Sequence, residues 1–254
     1  LAAALYRWEH YDPVLVLYVV GAPQQLHFQQ VFTVLRMLDM HWVDRYEHVP
    51  FGTIRLGDEA MSTRKGNVVF LEDLLDEATA RAQAIMEERN PSLPDKEQVA
   101  ETVGIGAIIF YFLMFNRMKD IAFDWDSALD FEGDSGPYVQ YTYARAGSVM
   151  RKAQARVRPV AELNIGALVE PEETALIVEL SRFRDVVASA QATREPSIIA
   201  RYLLDLCRVF NGFYHAHRIV GSDLVDERLA LLDATRTVIR TGLHLLGISA
   251  PEEM

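Results

Sequence analysis

Residues Ser62-Thr63-Arg64-Lys65-Gly66 set two hydroxyls, a guanidinium, an ammonium and a glycine in consecutive positions. That run suits a strap over phosphates. Arg64 and Lys65 would supply charge-assisted hydrogen bonds, the hydroxyls would bond phosphate oxygens, and Gly66 would let the backbone come close. The glycine spacing of a Walker loop is absent, so composition alone equally describes a solvated basic turn. Two other places carry chemistry. Gln24 follows an apolar run closed by Gly21. A glutamine at the carboxyl end of a buried strand can donate to and accept from a small ligand; as a bare sequence feature it is also an ordinary polar residue at a helix start. Tyr138 and Tyr141 lie three apart, so they share a helix face, with Arg145 one turn on. Two rings beside an arginine make a stacking platform for unpaired bases, and equally an aromatic patch of core.

The elements that must position these residues follow from periodicity. Val14 to Val20 is a continuous apolar, β-rich run, the pattern of a strand buried on both faces of a parallel sheet. Gln24 to Met40 has Leu26, Phe28, Val31, Phe32, Leu35 and Leu38 at helical spacing. Strand, glycine turn and helix make half of a doubly wound unit. His27 sits one turn into that helix, either behind a ligand site or as a buried, hydrogen-bonded histidine. Phe51 to Leu56 reads as a strand, with His48 and Gly52 at its start. Helices are predicted over Leu71 to Arg89, stopped by Asn90-Pro91-Ser92-Leu93-Pro94, and over Glu97 to Lys119. Ile121 to Asp126 reads as a short extended connector whose acids lack metal-ligand spacing. Gly133-Asp134-Ser135-Gly136-Pro137 is turn-rich, and Pro137 fits a first helical turn. Three further helices are predicted over about Glu172 to Thr193, Ser197 to Val220 and Glu227 to Leu246, with the period of a packed bundle.

Bulk properties bound the class. The chain has 254 residues, half of them apolar, which is enough for one large or two modest cores. The longest apolar run, around Ala107 to Phe115, is too short to span a membrane, and no signal peptide is visible. A single cysteine, Cys207, excludes an internal disulfide and fits a reducing, cytoplasmic setting. Net charge is −11, which argues against indiscriminate nucleic-acid binding. Residues 1–140 hold 11 Lys and Arg against 22 Asp and Glu, whereas residues 141–254 hold 14 of each. Arg145, Arg151, Lys152, Arg156 and Arg158 therefore form a local basic stripe, compatible with RNA and with an ordinary charged helix face. There is no zinc spacing, no Ser-His-Asp arrangement and no internal repeat.

Met61-Ser62-Thr63-Arg64-Lys65-Gly66 resembles the second signature loop of class I aminoacyl-tRNA synthetases in its arginyl form. Val19 to His27 and Phe131 to Tyr141 resemble two further stretches of arginyl-tRNA synthetases, in the family's order, and the likeness runs from Leu1 to Met254. The resemblance implies an α/β half of a Rossmann-type catalytic domain over residues 1–128, followed by an all-α anticodon-binding helical bundle over 129–254. It implies the formation of arginyl-tRNA from arginine, ATP and tRNA through arginyl-adenylate, with Mg2+ accompanying ATP, no tightly bound metal and no membrane. The carry-over by residue is Ser62, Thr63, Arg64 and Lys65 on phosphates, Gln24 on arginine, and His48, Gly52 and Met61 near ATP. Tyr138, Tyr141, Arg145 and Met254 would lie near anticodon bases.

Two departures qualify the likeness. The general class I loop reads Lys-Met-Ser-Lys-Ser; here Ala60 stands at its first lysine, Thr63 at its second, and Lys65 is displaced by two. The other class I signature, His-x-Gly-His, is not formed by His10, His27, His41, His48, His215, His217 or His244. The chain also begins with Leu1, already inside a helix-like pattern. The expectation is a C-terminal piece of an arginine–tRNA ligase, unable to activate arginine without its N-terminal half, with exposed apolar sheet favouring dimerisation or disorder. The alternatives are a free-standing tRNA anticodon-binding module without catalysis, and a helical interaction protein with a decayed nucleotide-binding half.

Overall fold

The computed structural model describes residues 1–56, 70–154 and 157–254. The described residues fall into two compact units, one within Leu1–Ala60 plus Asn116–Ala122, the other within Met61–Phe115 plus Phe123–Met254.

The first unit is α/β. Helix α1 (Ala2–Tyr11) leads into strand β1 (Val16–Gly21), helix α2 (Gln25–Met37) and strand β2 (Tyr46–Phe51). β1 and β2 pair in parallel, Tyr18 opposite His48 and Gly21 opposite Phe51, so their carboxyl ends lie side by side. The face towards the helices is aromatic. Trp8 stacks on Trp42 with centroids 5.2 Å apart, and the buried Tyr46 gives its hydroxyl to the Ala4 carbonyl at 2.9 Å. Leu35 and Val43 complete this core.

The expectation of a strand buried on both faces is corrected here. Leu15, Leu17 and Val19 are 41%, 42% and 63% exposed. They alternate with the half-buried Val16 and Tyr18, so among the described residues one face of the sheet is covered and the other is exposed. On α2 the helical period selects Phe28, Val31, Phe32 and Leu35, while Leu26 and Leu38 point to solvent. His27 is exposed rather than buried, with its ring edge towards Phe28.

The predicted strand from Phe51 to Leu56 is two strands. β2 ends at Phe51, and β3 (Ile54–Leu56) pairs with β4 (Ile121–Phe123) in a second sheet. Gly52 marks the turn between them. Its amide donates to the Arg117 carbonyl at 2.7 Å, and a Cβ there would collide with the Lys119 carbonyl. The Asp120 carboxylate then accepts the Thr53 amide at 2.8 Å.

The second unit is helical: α3 (Leu71–Arg89), α4 (Lys96–Leu113), α5 (Trp125–Ala128), α6 (Gly136–Ala153), α7 (Pro171–Ser181), α8 (Phe183–Thr193), α9 (Ser197–Ala216) and α10 (Val225–Leu245). The largest core joins α4, α6, α7, α9 and α10 around Phe110, Tyr143, Leu203, Phe210, Phe213 and Leu232. α4 is enclosed almost all round, with Ala100, Val103, Ala107, Ile108, Phe110 and Tyr111 all buried. Gly104 lets the α3 backbone at Ala78 come within van der Waals reach.

Two helix limits differ from expectation. α4 stops at Leu113, short of Lys119, because the Asn116 side chain accepts the Met118 amide at 3.0 Å and offers the chain a turn instead. The predicted helix over Glu172 to Thr193 is broken at Arg182 into α7 and α8. Tyr202 of α9 donates its hydroxyl to the Glu179 carbonyl at 2.9 Å, where the helical ladder would otherwise close, and Phe183 stacks on the Tyr202 ring.

Candidate functional site

Helix α6 begins where the turn-rich sequence ends. The Ser135 hydroxyl accepts the Tyr138 amide at 3.1 Å and donates to the Asp130 carbonyl, and Pro137 occupies the first turn. The cap thus sets the azimuth of every later side chain on α6.

Tyr138, Tyr141 and Arg145 then meet residues of α9. The Arg145 guanidinium donates to the Tyr141 hydroxyl at 3.2 Å and lies 4.7 Å from that ring's centroid. It also donates to the Asn211 side-chain oxygen Oδ1 at 3.4 Å and sits 5.7 Å from the Tyr214 centroid. Asn211 in turn donates to the Tyr138 hydroxyl at 2.9 Å. Tyr138 is half-buried against the main core, and burial raises its phenol above the ordinary value despite the Asn211 bond and the nearby Arg208 and Arg145. It stays a neutral hydrogen-bonding group. Tyr141 is 36% exposed and has the open ring.

Beside Tyr141 lies a cleft of about 210 Å³. Ile85, Met86, Arg89, Asn90, Phe131 and Met254 form the rest of its wall. Arg89 lies over the Phe131 ring at 5.3 Å, and the Asn90 side chain donates to the Met254 carbonyl at 3.4 Å. Apolar walls with one guanidinium and an amide among them suit a flat heteroaromatic group with polar edges.

In the α/β unit, Gln24 is exposed between the carboxyl end of β1 and the start of α2, and its side chain makes no capping bond. His48 bonds through Nε2 to the Val20 carbonyl at 3.0 Å and stacks on Phe28 at 4.4 Å. Its ring is therefore held by protein groups at the end of the parallel sheet. Gly52 is accounted for by the close approach described above. Met61, Ser62, Thr63, Arg64 and Lys65 lie outside the described residues.

The structure thus brings Tyr138, Tyr141 and Arg145 into one cluster and places Met254 in the wall of the cleft that Tyr141 also lines. Asn211, Tyr214, Arg89 and Asn90 were missed. The available signal was a polar Asn211 inside an otherwise apolar stretch of α9. Two members of the basic stripe are ion-paired: Arg151 with Glu253 at 3.2 Å, and Arg158 with Asp226 at 3.2 Å and Glu162 at 3.4 Å. Arg156 lies outside the described residues. Among the described residues no group of three His, Cys, Asp or Glu converges as a metal site, and no helix is long and apolar enough to cross a membrane.

Comparison with known proteins decides the family. The family model described as "tRNA synthetases class I (R), catalytic domain" matches residues 1–125, and the "DALR anticodon binding domain" matches residues 139–254. A curated arginine–tRNA ligase of Clostridium kluyveri is 43% identical over 257 residues, covering all of this chain. The chain belongs to the arginyl-tRNA synthetases.

Another arginine–tRNA ligase, of Clostridium botulinum, is 45% identical over the whole chain. The chain spans 45% of the length of both of these relatives. The solved arginyl-tRNA synthetase of Thermus thermophilus aligns over 94% of this chain and 41% of its own, with a TM-score of 0.85 and 36% identity. That of Plasmodium falciparum aligns over 100% of this chain and 44% of its own, with a TM-score of 0.85 and 26% identity. The family architecture in this arginyl-tRNA synthetase chain is an α/β catalytic half followed by a helical anticodon-binding bundle. The ring cluster and Met254 fall in the bundle. Gln24, His48 and Gly52 fall in the catalytic half.

Proposed function

We propose that this chain is the C-terminal portion of an arginine–tRNA ligase, with arginine, ATP and arginine-specific tRNA as substrates and the division between its two parts near residue 128. The observation that carries the reading is the Tyr138–Asn211–Arg145–Tyr141 cluster beside a cleft lined by Tyr141 and Met254, in a chain of this family. Tyr141 stacks on an anticodon base, Arg145 holds the ring and meets base or phosphate, Tyr138 anchors the cluster through Asn211, and Met254 packs on the opposite side of the base.

At the other site the arginine carboxylate attacks the α-phosphate of ATP. A carboxylate–phosphorus bond forms, the bond to the β-phosphate bridge breaks, and pyrophosphate leaves with the electron pair. Arg64 and Lys65 stabilise the charge growing on pyrophosphate, with Ser62 and Thr63 bonding its oxygens. Mg2+ arrives with ATP. Gln24 contacts arginine, while His48, Gly52 and Met61 border the ATP. The cytoplasm suits these substrates and the reduced Cys207.

Alone, the chain lacks the His-x-Gly-His contribution and does not activate arginine. Two assays test the reading. ATP–pyrophosphate exchange by the purified chain, with and without tRNA, should stay at background; clear exchange rejects inactivity. Binding at fixed salt should favour arginine tRNA over the same tRNA with its middle anticodon base changed. Equal, salt-sensitive binding to both would reject anticodon reading by this bundle.

A further inference from the structure

The last six residues of the chain are fastened by three helices. Gln140 on α6, fully buried, donates to the Ser249 carbonyl at 2.8 Å. The Tyr143 hydroxyl donates to one Glu252 carboxylate oxygen at 2.5 Å, and Arg236 of α10 donates to the other at 2.5 Å. Arg151 donates to the Glu252 carbonyl at 3.3 Å, and Asn90, just past α3, donates to the Met254 carbonyl at 3.4 Å.

These contacts have an order on α6. Gln140, Tyr143, Gly147 and Arg151 recur at helical spacing and form one stripe, which holds the tail. Gly147 leaves room for Arg236: a Cβ there would stand 3.2 Å from the guanidinium, which lies 4.4 Å from the Tyr143 centroid. Tyr138, Tyr141 and Arg145 form the adjacent stripe, which carries the ring cluster. One helix therefore carries both Tyr141 and part of the clasp on Glu252.

Glu252 lies only two residues before Met254, within about 7 Å of extended chain. We propose that Glu252 is a positioning residue for RNA recognition: clasped by Tyr143 and Arg236, it sets the Met254 side chain across the cleft from Tyr141 and so fixes the width available to a base. The proposal rests on the reading of this cleft as an anticodon-base site. The Glu252 side chain is itself 63% exposed, so its pairing adds little to global stability while it restrains the tail locally.

The test compares the full chain with Glu252→Ala, Glu252→Gln, Tyr143→Phe, Met254→Ala and the Glu252→Ala/Met254→Ala double variant. Each is titrated at one salt concentration with arginine tRNA and with its middle-base variant, and each is melted. Glu252→Ala should lower the ratio of the two affinities about tenfold, the size of one stacked-base contact. The loss should fall on the matched tRNA, with the melting temperature within about 3 °C. Glu252→Gln and Tyr143→Phe should lose less, because each keeps part of the clasp. The double variant should be no worse than Met254→Ala.

An unchanged ratio in Glu252→Ala, or losses that add in the double variant, overturns the proposal alone. So does a fall in affinity for both tRNAs that tracks the melting temperature across Glu252→Ala, Glu252→Gln and Tyr143→Phe. An unmodified chain that binds both tRNAs alike overturns the anticodon reading, and the proposal with it.

Discussion

The Arg145 guanidinium lies 4.7 Å from the centre of the Tyr141 ring and donates to that ring's hydroxyl at 3.2 Å. The arginine thus fixes the ring at the helix surface. Arg145→Met should weaken binding of arginine tRNA by about 1–3 kcal/mol, the worth of one base–ring stack. Arg145→Lys should recover only part, since an ammonium lacks the planar fork that reaches Tyr141 and Asn211 together. Filter binding at fixed salt measures both, and unchanged affinity of the lysine variant would reject the fork argument.

Glu173 is fully enclosed and accepts from Arg228 at 2.9 Å. It also accepts the Glu170 amide at 3.2 Å in the capping box that starts α7, while Arg228 donates to the Arg218 carbonyl at 2.7 Å. Arg228→Met leaves that carboxylate buried and unpaired, so urea unfolding should show a loss of about 3–5 kcal/mol. A loss below about 1 kcal/mol would mean that water or another donor reaches Glu173.

Gly104 faces the α3 backbone so closely that a Cβ would stand 2.7 Å from the Ala78 carbonyl carbon. Backbone cannot swing aside as a side chain can. Gly104→Ala should therefore cost about 1–3 kcal/mol despite the better helix propensity of alanine. Gly212→Ala on the exposed side of α9 meets nothing within 4 Å and should be neutral or gain about 0.5–1 kcal/mol. The opposite ranking in paired melts would show that α3 and α4 can separate freely.

Burial pushes the Cys207 thiol up to about 12, against smaller opposing effects of a Thr142 hydrogen bond and Arg208. In the native chain it should resist a thiol-specific chromogenic reagent at pH 8 and react at once in denaturant. The linkage has a definite sign. Below an unfolded value of about 8.5 both states keep the proton and pH has no effect through this group. Above it the unfolded chain ionises first, so stability falls as pH rises towards the native value, by at most about 1.4 kcal/mol per unit. Urea unfolding between pH 8 and 10 should lose part of its pH slope in Cys207→Ala, and an identical slope would show that the thiol does not contribute.

Much of the local structure was legible in the chain itself. The apolar run at Val16 to Val20, the stripe through Phe28, Val31, Phe32 and Leu35, and the Ser135-Gly136-Pro137 helix start each follow from rules acting over a few residues. Tyr138, Tyr141 and Arg145 could be assigned to one helix face for the same reason. What covers a face was not legible. β1 has the composition of a strand buried on both sides, yet Leu17 and Val19 are exposed, because burial depends on partners that the strand's own residues do not specify. The break at Arg182 depends on a hydroxyl from Tyr202, 20 residues downstream.

The sequence by itself determined the family, the order of the two parts and the types of residue available for chemistry, since these depend on identity and short-range spacing. Tertiary structure decided which of them act together. Asn211 joins Tyr138 to Arg145 only because α9 packs beside α6, and Glu252 is bonded at once by Tyr143 of α6 and Arg236 of α10, helices that lie far apart along the chain. Periodicity orients a side chain on its own helix. Only packing, with its close approaches and buried hydrogen bonds, selects the side chain that it meets.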